Sequence, residues 1–201
     1  MNYDYEKLDV FSSPLRIFEN KELAPKIRDY ILSKEAKGIE SNVAVALKKN
    51  LIESRFDFFE TENEAISDLK KFIATCIKLT LNEISNEDND YVVAFQESWY
   101  HIGLKNSYHA PHSHGNCSWC GVYYVQSGDK ESGGNTVFNN PVQSTWLDAG
   151  TLHLSTDVSI IPRDGKLILF PSYLSHYQSL YTGEQDRIVT AFNSAVKIYK
   201  N

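Results

Sequence analysis

Val92-Val93-Ala94-Phe95-Gln96-Glu97-Ser98-Trp99-Tyr100-His101-Ile102 decides the fold class, because this run is β-branched and aromatic and opens a region whose patterning differs from everything before it. Trp119–Val125 and Arg187–Val196 read as strands of the same kind. A turn at Asp164-Gly165 feeds a short apolar strand that ends near Pro171. Turn clusters recur at Asn106-Ser107, Ser127-Gly128-Asp129, Ser132-Gly133-Gly134, Asn139-Asn140-Pro141 and Thr182-Gly183-Glu184. Short strands with such punctuation predict a jelly roll or barrel. Residues 142–160 hold Trp146, His153 and Asp157 with little periodicity, and are read as a substrate-facing excursion.

Working back toward the amino terminus, the spacing turns helical. Leu15–Phe18 reads as a first strand. Asn20 is a candidate N-cap for a helix from Lys21 to Ala36, with Leu23, Ile27, Tyr30 and Ile31 on one face and Gly38 ending it. Residues 39–60 read as loop or short strands at Asn42–Leu47 and Phe56–Phe59. Thr61-Glu62-Asn63-Glu64 has the form of a capping box, and Ile66, Leu69, Phe72, Ile73, Cys76 and Leu79 or Thr80 follow at three- and four-residue steps to Ile84. This second helix is expected to pack on the outside of the sheet.

With 201 residues, 42% of them hydrophobic, the chain supports one sizeable core, so a single domain is expected: residues 1–88 as helical support and 89–201 as the β core. A formal charge of −6 and the lack of any basic run beyond Lys48-Lys49 or Lys70-Lys71 argue against direct nucleic-acid binding. The first residues lack a basic stretch followed by an apolar one, and no 18-residue apolar run occurs, so no membrane span and a cytoplasmic location are expected. Three cysteines, an odd number, fit a reducing compartment.

Four of the six histidines lie between His101 and His114. In extended chain, residues i and i+2 share a face, so His112 and His114 can turn both imidazoles toward one ion while Ser113 points away. His176 is a candidate third ligand. Such a set suits iron, zinc, copper or nickel. Eleven residues beyond His176, Arg187 opens a strand and can hold a carboxylate by a two-point fork. Asn193 shares its strand face and is a candidate pocket contact. His101 alternates with Trp99 and is expected to hydrogen-bond within a strand; His109 is a candidate substrate contact, support for the ligands or, three residues before His112, a competing ligand; His153 is read as exposed or as pocket wall.

His112-Ser113-His114, the Gly121-Val122-Tyr123-Tyr124 strand, Gly165-Lys166-Leu167-Ile168-Leu169-Phe170-Pro171 ahead of His176, and Arg187-Ile188 before a strand ending in Phe192-Asn193 together resemble the 2-oxoglutarate/iron(II)-dependent dioxygenases, in particular a group of small members with an H-x-H motif. The resemblance covers roughly residues 90 to 198. It implies a double-stranded β-helix (jelly roll) with two N-terminal supporting α-helices. It also implies Fe(II) as cofactor and 2-oxoglutarate as cosubstrate, with His112, His114 and His176 as iron ligands. Arg187 would then partner the distal carboxylate of 2-oxoglutarate, and Tyr124 would give that carboxylate a second hydrogen bond. The expected reaction is hydroxylation of a small-molecule or peptide substrate. His114 fills the position a halide would need, which argues against halogenation. Two departures stand out: most of the superfamily has H-x-D, so H-x-H leaves the metal with one more unit of positive charge, and Val189 stands where a serine is common.

Three other readings use the same residues. His112, His114, Cys117 and Cys120 form H-x-H-x2-C-x2-C, which could close around a structural zinc. A cupin-like three-histidine metalloprotein would work without 2-oxoglutarate, but cupins carry a glutamate soon after H-x-H, and none lies between His114 and Glu131. A binding module without catalysis would lack iron. Substrate identity and oligomeric state leave no signature in the sequence.

Overall fold

The computed structural model of the protein describes residues 12–33, 39–40, 47–141 and 157–199. In chain order these form β1 (Arg16–Glu19), α1 (Leu23–Ile31), β2 (Ile39–Glu40), β3 (Lys48–Glu53), a 3-10 turn (Phe58–Glu60), α2 (Glu64–Ser85), β4 (Tyr91–His112), β5 (Trp119–Gln126), β6 (Thr136–Asn139), β7 (Asp157–Ile160), β8 (Lys166–Pro171), β9 (His176–Tyr181) and β10 (Arg187–Ile198). The strands form one curled antiparallel sheet in the order β1-β8-β5-β10-β4-β9-β6-β7, with β3 also on β4 and β2 on β3. This is the expected jelly roll with two supporting helices. Among the described residues, no helix is long and apolar enough to cross a membrane.

The 22-residue strand β4 explains the curl. Its first part pairs with β10, from Tyr91 opposite Ile198 to Gly103 opposite Arg187; its last part pairs with β9, where His112 lies opposite His176. One strand therefore belongs to both layers of the roll. The join falls at Asn106, whose φ of 62° lies in the left-handed region that asparagine tolerates better than most residues. The expected turn at Asn106-Ser107 is thus a kink inside a continuous strand.

Both faces of the central strands are covered, which is why their sequences run apolar instead of alternating. On β8, Leu167 and Leu169 face the helix layer with Tyr123, Ile188 and Phe192, while Ile168 and Phe170 face the interior of the roll with Tyr124, Phe138 and Val189. Helix α2 seats Ile66, Leu69, Ile73 and Ile77, each fully buried, against the outer layer. Each contributes about 1.5–3 kcal/mol of burial. Leu79, at 58% exposed, lies off this face, and Thr80 takes the buried position.

The helix starts differ from expectation. Asn63, not Thr61, caps α2: its extended backbone lets the side-chain oxygen accept from the N–H groups of Ala65 and Ile66, while the Thr61 N–H closes the preceding 3-10 turn on Phe58. Asn20 does not cap α1, because its backbone serves the sheet. Its N–H donates to the Gly165 carbonyl and its own carbonyl accepts the Tyr123 hydroxyl at 2.6 Å, so the helix begins at Leu23. Strand β1 is shifted one residue from Leu15–Phe18. Residues 39–60 supply β2, β3 and the 3-10 turn, so the amino-terminal part contributes strands as well as helices. Residues 157–160, expected to be irregular, form β7 against β6; positions 34–38, 42–46 and 142–156, including Gly38, Trp146 and His153, lie outside the described residues.

Candidate active site

The β4 and β9 ends bring together the three histidines read from the sequence. His112 closes β4, His114 follows in the loop, and His176 opens β9. One ring nitrogen from each lies within 4.8 Å of the others, and among the described residues this is the one group of three or more such side chains. The Nδ1–H of His112 donates to the Ala110 carbonyl and that of His176 to the Leu174 carbonyl, each at 2.9 Å. A carbonyl only accepts, so both rings carry the proton on Nδ1 and keep a lone pair on Nε2. The loop carrying His114 is tied down by its backbone N–H on the Ser172 carbonyl at 3.1 Å.

Burial makes these imidazoles poor bases. It pushes the pKa of His176 down to about 3 and that of His114 to about 4, with the charge of His112 adding to both shifts, and it lowers His112 itself. Three converging neutral imidazoles are the form in which histidine ligates a metal. The cysteines are not members of this group, although Cys120 lines the same cavity. The sulfurs of Cys117 and Cys120 lie 3.6 Å from each other, and neither joins the histidines in a common site, so the four-ligand zinc arrangement is not formed.

The same cavity reaches Arg187, through a wall that includes Trp99, Phe170, Val189 and Ala191. Arg187 is 1% exposed, a cation taken almost wholly out of water. Its Nη1 donates to Gln178 Oε1 at 2.8 Å and its guanidinium carbon lies 5.1 Å from the Tyr124 ring centre, while Nε has no partner among the described residues. No carboxylate pairs with it there. A buried charge so poorly compensated costs several kcal/mol and is a place prepared for an anion. Burial accordingly lowers its pKa, with Tyr124 opposing the shift.

Tyr124 is fully buried, its hydroxyl 2.6 Å from Thr136 Oγ1 and accepting the Thr136 N–H at 3.2 Å. Asn193 departs from expectation. It is buried, but its Nδ2 donates to Glu97 Oε2 at 2.8 Å and it does not line the cavity shared by Arg187 and the histidines. The cause is its place opposite Glu97, six residues along β10 from Arg187, where the register shifts.

A second layer lies behind the histidines; the sequence singled out His109 and His101 in it and missed Glu53 and Gln178. His109 lines the cavity, and its ring stacks on His112 with centroids 4.0 Å apart and 22° between planes. His101 Nε2 meets Glu53 Oε2 at 2.5 Å, and Glu53 also pairs with Lys48. Burial works to raise the Glu53 pKa, but His101 and Lys48 outweigh it and hold the carboxyl at about 2; burial lowers the His101 pKa, with Glu53 opposing the shift. The available signal was a carboxylate sharing the face of buried Leu51 on a short strand. Gln178 gave no signal at all.

Residues 97–193 match a family model described as "Putative 2OG-Fe(II) oxygenase". Over that stretch, just under half of the chain, the protein is similar to the 2-oxoglutarate/iron(II) oxygenases. Its fold is similar to that of a Pseudomonas putida prolyl-4-hydroxylase, at 14% identity, covering 92% of this chain and 94% of that one with a TM-score of 0.61. It is also similar to a viral collagen prolyl hydroxylase from Paramecium Bursaria Chlorella virus-1, solved with 2-oxoglutarate (14%, 90% and 96%, 0.58). A third likeness is to HygX from Streptomyces hygroscopicus, solved with nickel and 2-oxoglutarate (11%, 91% and 83%, 0.57). No curated protein sequence matches the chain. The cofactor and cosubstrate of this oxygenase family are iron(II) and 2-oxoglutarate. Three neutral imidazoles fit the metal, and the unpaired Nε of buried Arg187 in the same cavity fits a carboxylate.

Proposed function

We propose that this oxygenase hydroxylates a small-molecule or peptide substrate in the cytoplasm, with His112, His114 and His176 as the iron ligands and Arg187 as the anchor of the distal carboxylate of 2-oxoglutarate. The observation that carries this reading is one cavity shared by three convergent neutral imidazoles and an arginine that pairs with no carboxylate among the described residues. Iron(II) and 2-oxoglutarate, when bound, would let dioxygen act as the oxidant: one oxygen atom would end in succinate, formed with loss of carbon dioxide, and the other in the hydroxylated substrate.

The protein's own part is orientation and exclusion of water. The Ala110 and Leu174 carbonyls fix two of the three rings so that each keeps its Nε2 free. Arg187 binds the far carboxylate where little water competes, so the charge-assisted pair holds the cosubstrate in one pose. Tyr124 hands its hydroxyl hydrogen to that carboxylate, and Thr136 holds the hydroxyl oxygen through its N–H. Val189, in the position where a serine is common, adds an apolar wall that narrows the cavity to the acid.

The test is iron(II)- and ascorbate-dependent conversion of 2-oxoglutarate to succinate without added substrate, beside metal analysis of the purified protein. Turnover in the native protein that disappears in Arg187→Ala, and iron that is lost in His176→Ala, are the expected results. Succinate formation indifferent to Arg187→Ala would sink the reading.

A further inference from the structure

Gln178 lies two residues after His176 on β9 and so on the same strand face, with His109 of β4 opposite it on one side and Thr136 of β6 on the other. Its side chain is buried, and both ends of the amide are engaged. Oε1 accepts from Arg187 Nη1 at 2.8 Å, while Nε2 reaches Ser107 Oγ at 3.3 Å and the Ser107 carbonyl at 3.4 Å. The Ser107 carbonyl can only accept, so it selects the NH2 end and leaves the oxygen facing the guanidinium. The amide cannot flip without setting donor against donor.

The geometry points to Gln178 as a positioning residue for cosubstrate binding: it holds the Arg187 guanidinium in place through a neutral acceptor and leaves the positive charge free for the distal carboxylate. This rests on the reading of Arg187 as the anchor of that carboxylate. Arginine has long, flexible stems, and an unheld fork would lose orientation on each binding event. A carboxylate at position 178 would hold the fork equally well but would cancel its charge and compete with the ligand. An amide of the same length does the first without the second. The role is therefore legible in the choice of Gln over Glu as much as in the contact.

The test uses the manganese(II)-loaded protein and calorimetric titration with two chelators, 2-oxoglutarate and oxalate, the latter lacking a distal carboxylate. Gln178→Leu is expected to weaken 2-oxoglutarate about 10-fold and Gln178→Glu about 100-fold, by loss of one charge-assisted bond and then of the free charge. Oxalate affinity, manganese content and the thermal midpoint stay within about twofold or a few degrees by the same argument. Unchanged 2-oxoglutarate affinity in both variants, or parallel losses for 2-oxoglutarate and oxalate, overturns the inference. The two readings fail separately. If Arg187→Ala binds 2-oxoglutarate as the native protein does, the anchor itself is wrong; if Arg187→Ala loses binding and the Gln178 variants do not, only the positioning role falls.

Discussion

The imidazole of His109 lies nearly flat on that of His112, with ring centroids 4.0 Å apart and 22° between the planes. One face of a candidate ligand is thereby packed against a ring that makes no side-chain hydrogen bond among the described residues. The carbonyl of Ala110 fixes the His112 ring at one nitrogen, and the stack limits rotation about that bond. Supports of this kind change metal affinity by about 10–100-fold when removed. His109→Ala should raise the apparent dissociation constant for iron(II) about 10-fold, whereas His109→Phe, which keeps the stack, should change it little. A competitive chelator titration distinguishes them, and equal loss in both variants would mean that the nitrogen of His109 matters and the stack does not.

Gly134 has φ +70°, and a Cβ there would lie 2.8 Å from Arg187 Cδ and 3.0 Å from Nε. Gly134→Ala therefore combines a left-handed backbone with a contact the arginine stem cannot tolerate. About 1–3 kcal/mol of destabilisation is expected from the two together. Because the arginine must move, the affinity for 2-oxoglutarate should fall with stability, while the affinity for iron(II) should not. Urea unfolding and the two titrations measured on one preparation test this; a variant that is destabilised but binds 2-oxoglutarate normally would show that Arg187 tolerates the shift.

The histidines were legible because their signal is local. His112 and His114 are two apart, and the runs ahead of His176 and Arg187 carry the strand pattern that brings them near. The jelly roll was legible for a related reason, since its strands are buried on both faces and punctuated by turns. What escaped depends on pairing between distant segments. Glu53 meets His101 across the β3–β4 ladder, and Gln178 meets Arg187 and Ser107 across the roll. A lone polar residue in a short strand has no motif to announce its partner. Asn193 illustrates the same limit: face alternation gives the side of the strand it shares with Arg187, but not that Glu97, opposite it on β4, is its hydrogen-bond partner.

The two neighbouring thiols give a cheap discriminator. Cys117 and Cys120 touch each other and stand outside the histidine group. Cys117→Ser and Cys120→Ser should leave the metal content of the purified protein unchanged, because neither sulfur is needed for the three-imidazole site. Stoichiometric zinc in the native protein that vanishes in either variant would restore the structural-zinc reading.

Glu53 should make stability depend on acid in a defined window. Its folded pKa of about 2 lies below the ordinary 4.5, so its ionised form is favoured by folding. The contribution is full above pH 4.5 and disappears as the pH falls toward 2. With both partner side chains largely out of water, Lys48 at 11% exposed and His101 at 7%, solvent screening removes little of it. The gap corresponds to about 3 kcal/mol at neutral pH. Glu53→Gln should therefore be less stable than the native protein by up to that amount at pH 7, where Lys48 is also left without its counter-charge. The difference between the two proteins should shrink as the pH is lowered through the window, because protonation makes the native residue as uncharged as glutamine. Urea unfolding of both at pH 7 and near pH 3 measures it, and a difference that stays constant with pH would mean that Glu53 stabilises the fold by packing and not by its charge.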